Sequence, residues 1–402
     1  MKGAEPIMQS VPQTASPFRR FVASSHALSF VLPTRDRHAR LLATLDALGA
    51  CLPPCAGGEV VIVDNDSEQP VRVPRTLANG LSVVALVRPR NEGAAARNAG
   101  VRAASSPWIV MLDDDSHPEP GADLDAIARS LAARGADTAA VMADIHLPAL
   151  GRRESGGLPE VFIGCGVAIR RDAFLRAGGY DHRFHYYAEE YDLAARFLLA
   201  GARVEFDPAF RVQHHKSGEG RDMNVILARL VRNTAWVTQR YAPEHERRAD
   251  LRRVRARYRA IARTERAEAG IGEGLRDLRR TIAYQRRTPM RGPIWERFIG
   301  LAHAREALHA AFASRPFRSV CVAESGRNEW VVRRAIDELG VRTVERHDDA
   351  EAVVIGTLSP GPMLDAAERL GAGGRRVLRP WLVPDVPASA VVPGIGAVSA
   401  AA

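Results

Sequence analysis

Three consecutive carboxylates, Asp113, Asp114 and Asp115, directly follow an apolar run at residues 108–112. A short apolar run that follows a proline and ends in charge is typical of a buried strand that reaches the surface. Three acids at one strand end repel each other unless a positive group lies among them. Mg²⁺ and Mn²⁺ prefer such oxygen ligands and keep positions open for phosphate oxygens. The cluster therefore indicates either a divalent cation site or a solvated acidic turn.

The same arrangement recurs along the first part of the chain. Apolar runs at residues 28–32, 59–63, 81–87 and 108–112 predict strands, with helical patterns after the first and third. This alternation predicts an α/β fold with a mostly parallel sheet and helices on both faces. The polar clusters that follow the runs are Pro33-Thr34-Arg35, Asp64-Asn65-Asp66-Ser67, Asn91-Glu92-Gly93 and the three aspartates. Because ligands bind at the carboxyl ends of strands in such sheets, the clusters together predict one binding site.

A second acidic cluster, Glu189, Glu190 and Asp192, opens a predicted helix near the middle of the chain. The helix dipole favours carboxylates in a first turn, so helix capping is one role for some of them. Further upstream, Gly164 and Gly166 suit a backbone that approaches a ligand closely, because glycine has no side chain in the way.

A histidine pair, His214 and His215, follows an extended stretch at residues 203–212. Neighbouring residues on an extended segment face opposite sides, so only one of the two rings points toward a site at this strand end. Either a metal-binding or a purely structural role suits such a histidine.

In this order and spacing, the clusters resemble the family 2 glycosyltransferases, which have the nucleotide-sugar-binding GT-A fold, a Rossmann-like α/β fold with a mixed sheet. The resemblance spans roughly residues 28–242 and includes a DXD motif at the three aspartates. The matching blocks are Pro33-Thr34-Arg35, residues 63–67, Asn91-Glu92-Gly93 with residues 97–100, residues 112–115, residues 164–166, residues 178–181, residues 189–193 with Arg196, and His214-His215. It implies an inverting hexosyl or deoxyhexosyl transferase that takes its sugar from a nucleotide-sugar donor.

On the donor side, the resemblance implies that Asp115, with help from Asp113, holds Mn²⁺ or Mg²⁺ against the diphosphate. His215, or its neighbour His214, would add a metal or diphosphate ligand. Asp64 is expected to bind the nucleotide base or ribose, although Asp-Asn-Asp-Ser is also good turn chemistry. The remaining donor-binding candidates are Pro33, Thr34, Arg35, Asn91, Gly93, Arg97, Asp113 and Asp114.

On the acceptor side, the resemblance implies that Glu190 is the general base, where many relatives carry Asp. Glu189 is the alternative, with a role in orienting the acceptor. Gly164, Gly166 and Asp192 complete the acceptor-side candidates, and fixing the helix through Arg196 is the other role for Asp192. The acceptor would be a glycan, a lipid-linked hydroxyl or a small molecule, in synthesis of a bacterial surface polysaccharide or glycoconjugate.

Five segments are expected along the chain: a leader at 1–26, the GT-A domain at 27–242, a basic helical segment at 243–315, a small Rossmann-like α/β module at 316–390 and a tail at 391–402. The first loop of the module, at residues 324–328, lacks the glycine spacing of a dinucleotide fingerprint. A small ligand at residues 325–328 or 357–361 is one interpretation of this module, and packing or docking of a partner is the other.

Charge is concentrated in the helical part of the chain. Residues 221–315 contain 22 Arg and 10 acidic residues, against a net charge of +9 for the whole chain. Such a segment suits an anionic membrane surface, a phosphorylated substrate or merely a solvated helical surface. Sparse aromatics and the absence of any nucleic-acid-binding motif argue against nucleic acid. Four cysteines without a completing metal-ligand set, and no secretory signal pattern, predict a cytoplasmic protein, with peripheral contact at the inner face of the membrane as an extension.

Three interpretations compete at this point. The first is the metal-dependent inverting glycosyltransferase. The second is a nucleotidyltransferase of related fold, although no glycine-rich basic loop follows the first strand. The third is a nucleotide-sugar-binding protein with a degenerate site, for which the glutamate at position 190 is the one argument.

Overall fold

The computed structural model describes residues 27–216 and 222–384, so the expected leader and tail lie outside the described residues. Two sheets organise the described chain. The larger has nine strands and the smaller has four. The expected division of the chain into five segments stays a prediction.

The first half of the larger sheet is parallel and alternates with helices. Its elements are β1 (Leu28–Thr34), α1 (His38–Gly49), β2 (Gly58–Asp64), β3 (Ser82–Val87), α2 (Arg97–Ala103) and β4 (Trp108–Met111). Buried aliphatic side chains cover both faces of β1, β2 and β4, which explains why these strands appear as continuous apolar runs in the sequence. All four predicted strands are confirmed.

The second half turns the sheet into a mixed one. Its elements are β5 (Ser116–Pro118), α3 (Leu124–Ala132), β6 (Thr138–Leu147), β7 (Arg152–Arg153), β8 (Val167–Arg170), α4 (Arg171–Arg176), α5 (Glu189–Leu199) and β9 (Arg203–His214). Strand β8 runs antiparallel to both β4 and β6, and β5 runs antiparallel to β9. The strand order is β3-β2-β1-β4-β8-β6-β9-β5, with β7 paired to β6. The sheet is therefore mixed, whereas the alternation of strands and helices in the first part of the sequence predicted a mostly parallel sheet.

Antiparallel β8 is what brings the two halves of the site together. Because β8 pairs with β4, the turn that enters β8 lies beside the segment that leaves β4. Ser116 Oγ donates a hydrogen bond to the backbone carbonyl of Cys165 at 2.9 Å and accepts one from the backbone nitrogen of Asp113 at 2.8 Å. Ser116 thus links the aspartate cluster to the glycine-flanked turn.

Helices α6 (Met223–Tyr241), α7 (Glu244–Thr264), α8 (Glu268–Thr281), α9 (Gly292–Ile299) and α10 (Leu301–Ser314) follow the larger sheet. Close packing of α8 on α6 depends on Gly270 and Gly274, which lie one turn apart. A Cβ at Gly270 would lie 2.1 Å from the carbonyl oxygen of Asn224, and one at Gly274 would lie 2.3 Å from that of Ala228. Larger residues there would push the two helices apart.

The smaller sheet is parallel, in the order β11-β10-β12-β13. Its elements are β10 (Ser319–Ala323), α11 (Glu329–Glu338), β11 (Arg342–Val344), β12 (Ala352–Ile355), α12 (Pro360–Gly371) and β13 (Val377–Leu378). Together, the two sheets and the intervening helices confirm the predicted fold class: an α/β domain with a mixed sheet, a helical segment and a small parallel α/β module.

The small module packs directly on the larger sheet. Trp381 packs edge-on against Phe206, with 5.8 Å between the ring centres. Arg153 pairs with Asp365 at 2.7 Å, and Ser359 accepts a hydrogen bond from the backbone nitrogen of Gly156 at 2.9 Å. One hydrophobic core runs from the larger sheet into the module. The module is therefore a fixed wall of the molecule, close to the turn that enters β8.

No helix within residues 27–216 and 222–384 is both long enough and apolar enough to cross a bilayer.

Candidate active site

The three aspartates lie at the carboxyl end of β4, but two arginines already neutralise much of their charge. Arg37 binds Asp114 through one terminal nitrogen and Asp115 through the other, the latter at 2.5 Å. Arg97 is buried and pairs with Asp113. The repulsion expected from the sequence is thus relieved by side chains of the protein itself, and a cation is not required for the cluster to fold.

The neighbouring aspartates differ in protonation because their surroundings differ. Burial raises the pKa of Asp114 to about 6, even though Arg37 and a 2.8 Å hydrogen bond from Thr34 oppose it. Burial acts in the same direction on Asp115, but hydrogen bonds from His214 and Arg37 outweigh it and lower the pKa to about 2. Asp115 is therefore the carboxylate that stays charged over the whole physiological range.

The histidine that faces the cluster is His214, which corrects the expectation for His215. His214 Nε2 lies 3.2 Å from Asp115, and Nδ1 lies 2.9 Å from Glu154 and 3.6 Å from the Cys165 sulfur. The ring of His215 instead stacks on His117, with 5.1 Å between ring centres. Both results follow from the alternation of side chains along an extended segment.

One group of ligand atoms in this region fits a metal ion. Donor atoms of Asp113, Cys165 and His214 lie within 4.8 Å of one another, and the Asp115 carboxylate borders His214. The carboxylates suit Mn²⁺ or Mg²⁺, whereas a thiolate and an imidazole suit softer ions. These donor atoms could therefore hold a divalent cation.

The turn after β2 is built around Asp64, which is fully buried. Its carboxylate accepts hydrogen bonds from the backbone nitrogens of Ser67 at 3.0 Å and Val71 at 3.1 Å. These bonds explain the turn, and the role of Asp64 in nucleotide binding stays a prediction. In the adjoining wall, Arg35 donates to the backbone carbonyl of Asp66 at 3.0 Å, and Pro33 lies in β1 just before it.

Asn65 joins this turn to the loop after β3. Its side chain donates to Asn91 Oδ1 at 3.1 Å and to the carbonyl of Gly93 at 3.2 Å. Gly93 has a positive φ of 61°, and a Cβ there would lie 2.2 Å from the carbonyl oxygen of His185. Only glycine fits this contact, which fastens the donor side of the site to the loop that precedes the second acidic cluster.

That loop is held in an unfavourable conformation. His185, Tyr187 and Ala188 all have positive φ, between 61° and 74°, which non-glycine residues seldom adopt. The side-chain amide of the buried Asn233, on α6, donates to the carbonyls of Phe184, Tyr186 and Tyr187 at 2.8–2.9 Å. Strain of this kind persists where surrounding contacts enforce it, and it is commonest at functional sites.

Glu189 and Glu190 open α5 at the end of this loop. Glu190 accepts a hydrogen bond from the backbone nitrogen of Gly164 at 3.3 Å. Glu189 is buried, and its Oε2 has no hydrogen-bond partner among the described residues. Burial raises the pKa of both carboxyls, and the neighbouring Glu190 raises the pKa of Glu189 further. Both carboxyls therefore hold a proton more strongly than an exposed glutamate does.

Asp192 points away from these carboxylates. Its oxygens accept hydrogen bonds from Arg240 at 2.7 Å, Tyr241 at 2.7 Å and Arg196 at 2.7 Å. With both oxygens occupied in this way, Asp192 anchors α5 to α6 and does not line the cavity. Its expected role at the acceptor is corrected in favour of the alternative, fixing the helix through Arg196.

A cavity of about 300 Å³ connects the aspartate cluster to the glutamate pair. Of the predicted residues, Arg97, Asp113, Gly164, Glu189, Glu190 and His214 line it. Gly166 does not: a Cβ at this position would lie 2.7 Å from Ile145, so its lack of a side chain serves packing within the sheet.

Several residues of the site were not predicted as such. They are Arg37, Glu154, Asn233 and Arg327, whereas Asn65 and Cys165 lie in predicted blocks without an assigned role. Arg37 lies two residues beyond the predicted Pro33-Thr34-Arg35 block, so its signal in the sequence is local. Asn233 and Arg327 reach the site from α6 and from the small module, and no local pattern marks them.

Comparison with known proteins identifies relatives of this chain by sequence. The sequence model of glycosyl transferase family 2 matches residues 29–176. A pre-mycofactocin glycosyltransferase of Mycobacterium tuberculosis is 27% identical over 218 residues, which cover 50% of this chain and 45% of that protein. The chain thus spans about half the length of this relative.

Among solved structures, S. aureus TarS 1-349 in complex with UDP-GlcNAc is 14% identical and covers 78% of this chain and 92% of its own, with a TM-score of 0.46. At that score the overlap is loose, and assignment to a family rests on sequence. An uncharacterized glycosyltransferase of Mycobacterium bovis is 30% identical over 199 residues, which cover 46% of this chain and 85% of that protein. With this match and that of the family model, the chain belongs to glycosyl transferase family 2.

Proposed function

We propose that the protein transfers a sugar from a nucleoside diphosphate sugar to an acceptor hydroxyl, with inversion at the anomeric carbon and Glu190 as the general base. The observation that carries this proposal is the shared cavity. At one end of the cavity lie Asp113, Cys165 and His214, which could hold a metal ion, and at the other lies the Glu189–Glu190 pair. The Gly164-Cys165 turn joins the two ends.

The donor half offers groups that suit a diphosphate. Arg97 lines the cavity, and its Nε is buried without a hydrogen-bond partner in the described part of the chain. An oxygen of the diphosphate would satisfy this donor and reduce its desolvation cost. Asp113, Asp115 and His214 would hold Mn²⁺ or Mg²⁺ here, and such an ion would act as a Lewis acid for the departing diphosphate.

The acceptor half offers a base in a suitable state. The acceptor hydroxyl would give its proton to a Glu190 oxygen while the hydroxyl oxygen forms a bond to the anomeric carbon. The bond from that carbon to the diphosphate oxygen breaks, and its electron pair leaves with the diphosphate. Attack from the face opposite the leaving group inverts the configuration. Glu189 Oε2, which has no hydrogen-bond partner among the described residues, would accept a hydrogen bond from a second hydroxyl of the acceptor and so orient the acceptor.

Membership of the family does not identify the acceptor. The names of two relatives from M. tuberculosis, a pre-mycofactocin glycosyltransferase and an N-acetylglucosaminyl-diphospho-decaprenol L-rhamnosyltransferase, describe different acceptors. We place this chain in the cytoplasm, in the synthesis of a bacterial surface polysaccharide or glycoconjugate, with a glycan, lipid-linked or small-molecule hydroxyl as acceptor.

A peripheral membrane contact belongs to the same proposal. Helix α7 exposes Arg248, Arg252, Arg259 and Arg263, and no ion pair engages them within the described residues. Sedimentation with vesicles containing an anionic lipid should show binding that weakens as salt rises. No binding at low salt would leave these arginines as a solvated surface.

The function is tested with a panel of UDP-, dTDP- and GDP-sugars, each with Mn²⁺ or Mg²⁺, while release of the nucleoside diphosphate is measured. One donor should be turned over in a metal-dependent manner, faster with acceptor present, and the product should have the inverted anomeric configuration. Donor binding without turnover would favour the degenerate-site interpretation. Pyrophosphate release from a nucleoside triphosphate and a sugar 1-phosphate would favour a nucleotidyltransferase.

A further inference from the structure

The small C-terminal module contributes a side chain to the cavity. Arg327 lies in the loop between β10 and α11 and is one of the residues that line the cavity. The loop is fixed by Leu358, whose nitrogen donates to the Arg327 carbonyl at 3.1 Å, and by Asn328, whose side chain donates to the carbonyl of Ile299 at 2.9 Å. Arg327 is thus presented by a rigid loop at the carboxyl end of a parallel strand.

Arg327 reaches the residue next to the proposed base. Its guanidinium donates a hydrogen bond to the Tyr191 hydroxyl, and its central carbon lies 5.2 Å from the centre of the Tyr191 ring. It is also close enough for the charge of Glu190 to act on it. This places a positive charge on the acceptor side of the cavity, away from the aspartate cluster.

Arg327 differs from the other cations of the cavity in its partners. Arg97 pairs with Asp113, and Lys216 pairs with Glu154 at 2.9 Å. Arg327 forms no ion pair with a carboxylate in residues 27–216 or 222–384, although it is partly buried. A guanidinium removed from water without a counter-charge is costly, and the cost falls when a ligand supplies an anion.

A second guanidinium lies close by. Arg257, on α7, lies over Tyr258, with 5.5 Å from its central carbon to the ring centre, and it too has no carboxylate partner among the described residues. Arg257 is exposed to solvent, and it is close enough for the charge of Arg327 to act on it. Tyr258 also lines the cavity. An oxyanion bound near both guanidinium groups would relieve the repulsion between them.

We propose that Arg327, assisted by Arg257, binds an anionic oxygen group of the acceptor, either a phosphate or a carboxylate, and so selects acidic acceptors. This inference rests on the proposed function, since it assigns the acceptor end of the same cavity. Arg327 is a specificity-determining residue in this account, and Glu190 remains the base. The alternative is that the contact with Tyr191 only docks the module on α5.

The test compares three acceptors that share one aglycone: a neutral p-nitrophenyl glycoside, its 6-phosphate and the corresponding glucuronide. With the donor identified above, kcat and KM are measured for each. One charged hydrogen bond predicts a kcat/KM about 10- to 100-fold higher for one of the two anionic acceptors than for the neutral one. Comparison of the phosphate with the glucuronide shows which oxyanion the subsite takes.

In Arg327→Gln, the ratio of kcat/KM for the anionic acceptor to that for the neutral acceptor should fall to near one, mainly through KM. Arg327→Lys should keep part of the preference, and Arg257→Gln should lose a smaller part. The matched control is Arg333→Gln, on α11 of the same module, where Arg333 pairs with Glu329. It should preserve the preference of the wild type.

A wild type that prefers the neutral acceptor, or an unchanged ratio in Arg327→Gln, would overturn the subsite. If Arg327→Gln does not fold, the ratios of the wild type, Arg327→Lys and Arg257→Gln decide the matter. Absence of nucleoside diphosphate release from every donor would instead refute the proposed function. The two failures are therefore distinguishable.

Discussion

The site contains two acidic clusters of similar composition in opposite electrostatic surroundings. At the end of β4, Asp113 and Asp115 are paired with Arg97 and Arg37, and His214 adds a third contact. At the start of α5, Glu189 and Glu190 have no ion pair with a cation in the described part of the chain, and burial raises the pKa of both.

This difference assigns chemistry to each cluster. Carboxylates that are stabilised as anions, as at the end of β4, suit the binding of a metal ion or of cationic side chains. A carboxylate that is buried without an ion-pair partner is a better proton acceptor near neutral pH, because its pKa lies closer to the working pH. One set of residue types therefore supports both departure of a leaving group and attack by an acceptor.

Removing the base should give the largest effect. Glu190→Gln keeps the size of the side chain but cannot accept the proton, so transfer should fall by about 10²- to 10⁴-fold. Donor binding, measured by calorimetry, should remain near that of the wild type. Glu189→Gln is the matched control and should lose less. A normal transfer rate in Glu190→Gln, or a greater loss in Glu189→Gln, would reassign the base.

Removing Asp115 from the aspartate cluster should weaken the binding of the donor and of the metal ion. Asp115→Ala leaves His214 and Arg37 without their shared partner, and metal-dependent donor affinity should fall by more than about 100-fold, since even outer-shell changes cost 10- to 100-fold. Titration of the donor with and without metal measures it, and Asp46→Ala, an exposed acid on α1, is the control. Unaltered metal-dependent binding in Asp115→Ala would contradict the donor-side assignment.

A third change loosens the support of the acceptor-side cluster without touching a carboxylate. Asn233→Ala leaves three carbonyls of the strained loop without their donor, so the free energy of unfolding should fall by about 1–3 kcal/mol. Transfer should slow as well, because the loop leads directly into the first turn of α5, where Glu190 lies. Urea unfolding gives the energy, and Val225→Ala, on the exposed side of α6, should lie within about 0.5 kcal/mol of the wild type. Equal stabilities for the two variants would show that Asn233 does not hold the loop.

The sequence predicted the strands and loops that form the site better than the hydrogen-bond and ion-pair partners of the site residues. Strands that are buried on both faces give long apolar runs, and polar residues at their ends are recognisable for the same reason, so the aspartate cluster and the Asn91–Gly93 loop were located correctly. Extended geometry alone could not choose between His214 and His215. The choice depends on the register of β9 against β5 and β6, which pairs His214 with Ser116.

The remaining partners are distant in sequence. Arg327 and Tyr191 are separated by 136 positions, and Asn233 lies 46 to 49 positions from the carbonyls that it holds. Asp192 shows the opposite problem, because an acid in a recognised motif was assigned to the acceptor although its partners Arg240 and Tyr241 bury it in the helix interface. Such roles become visible only when the helices are packed.

The most direct test of the contrast between the clusters is the pH dependence of kcat at saturating donor and acceptor. A raised pKa keeps Glu190 protonated, and inactive as a base, until the pH exceeds that value, so kcat should rise with pH through an acid limb above the ordinary glutamate pKa of about 4.3. Asp115, with a pKa of about 2, stays ionised throughout, whereas Asp114, at about 6, titrates in the same range. If Glu190 causes the acid limb, the slow residual transfer of Glu190→Gln should lack it, whereas a limb caused by Asp114 would remain. The same limb in both proteins, or a wild-type limb at the ordinary glutamate value, would contradict the assignment of Glu190 as a base poised by burial.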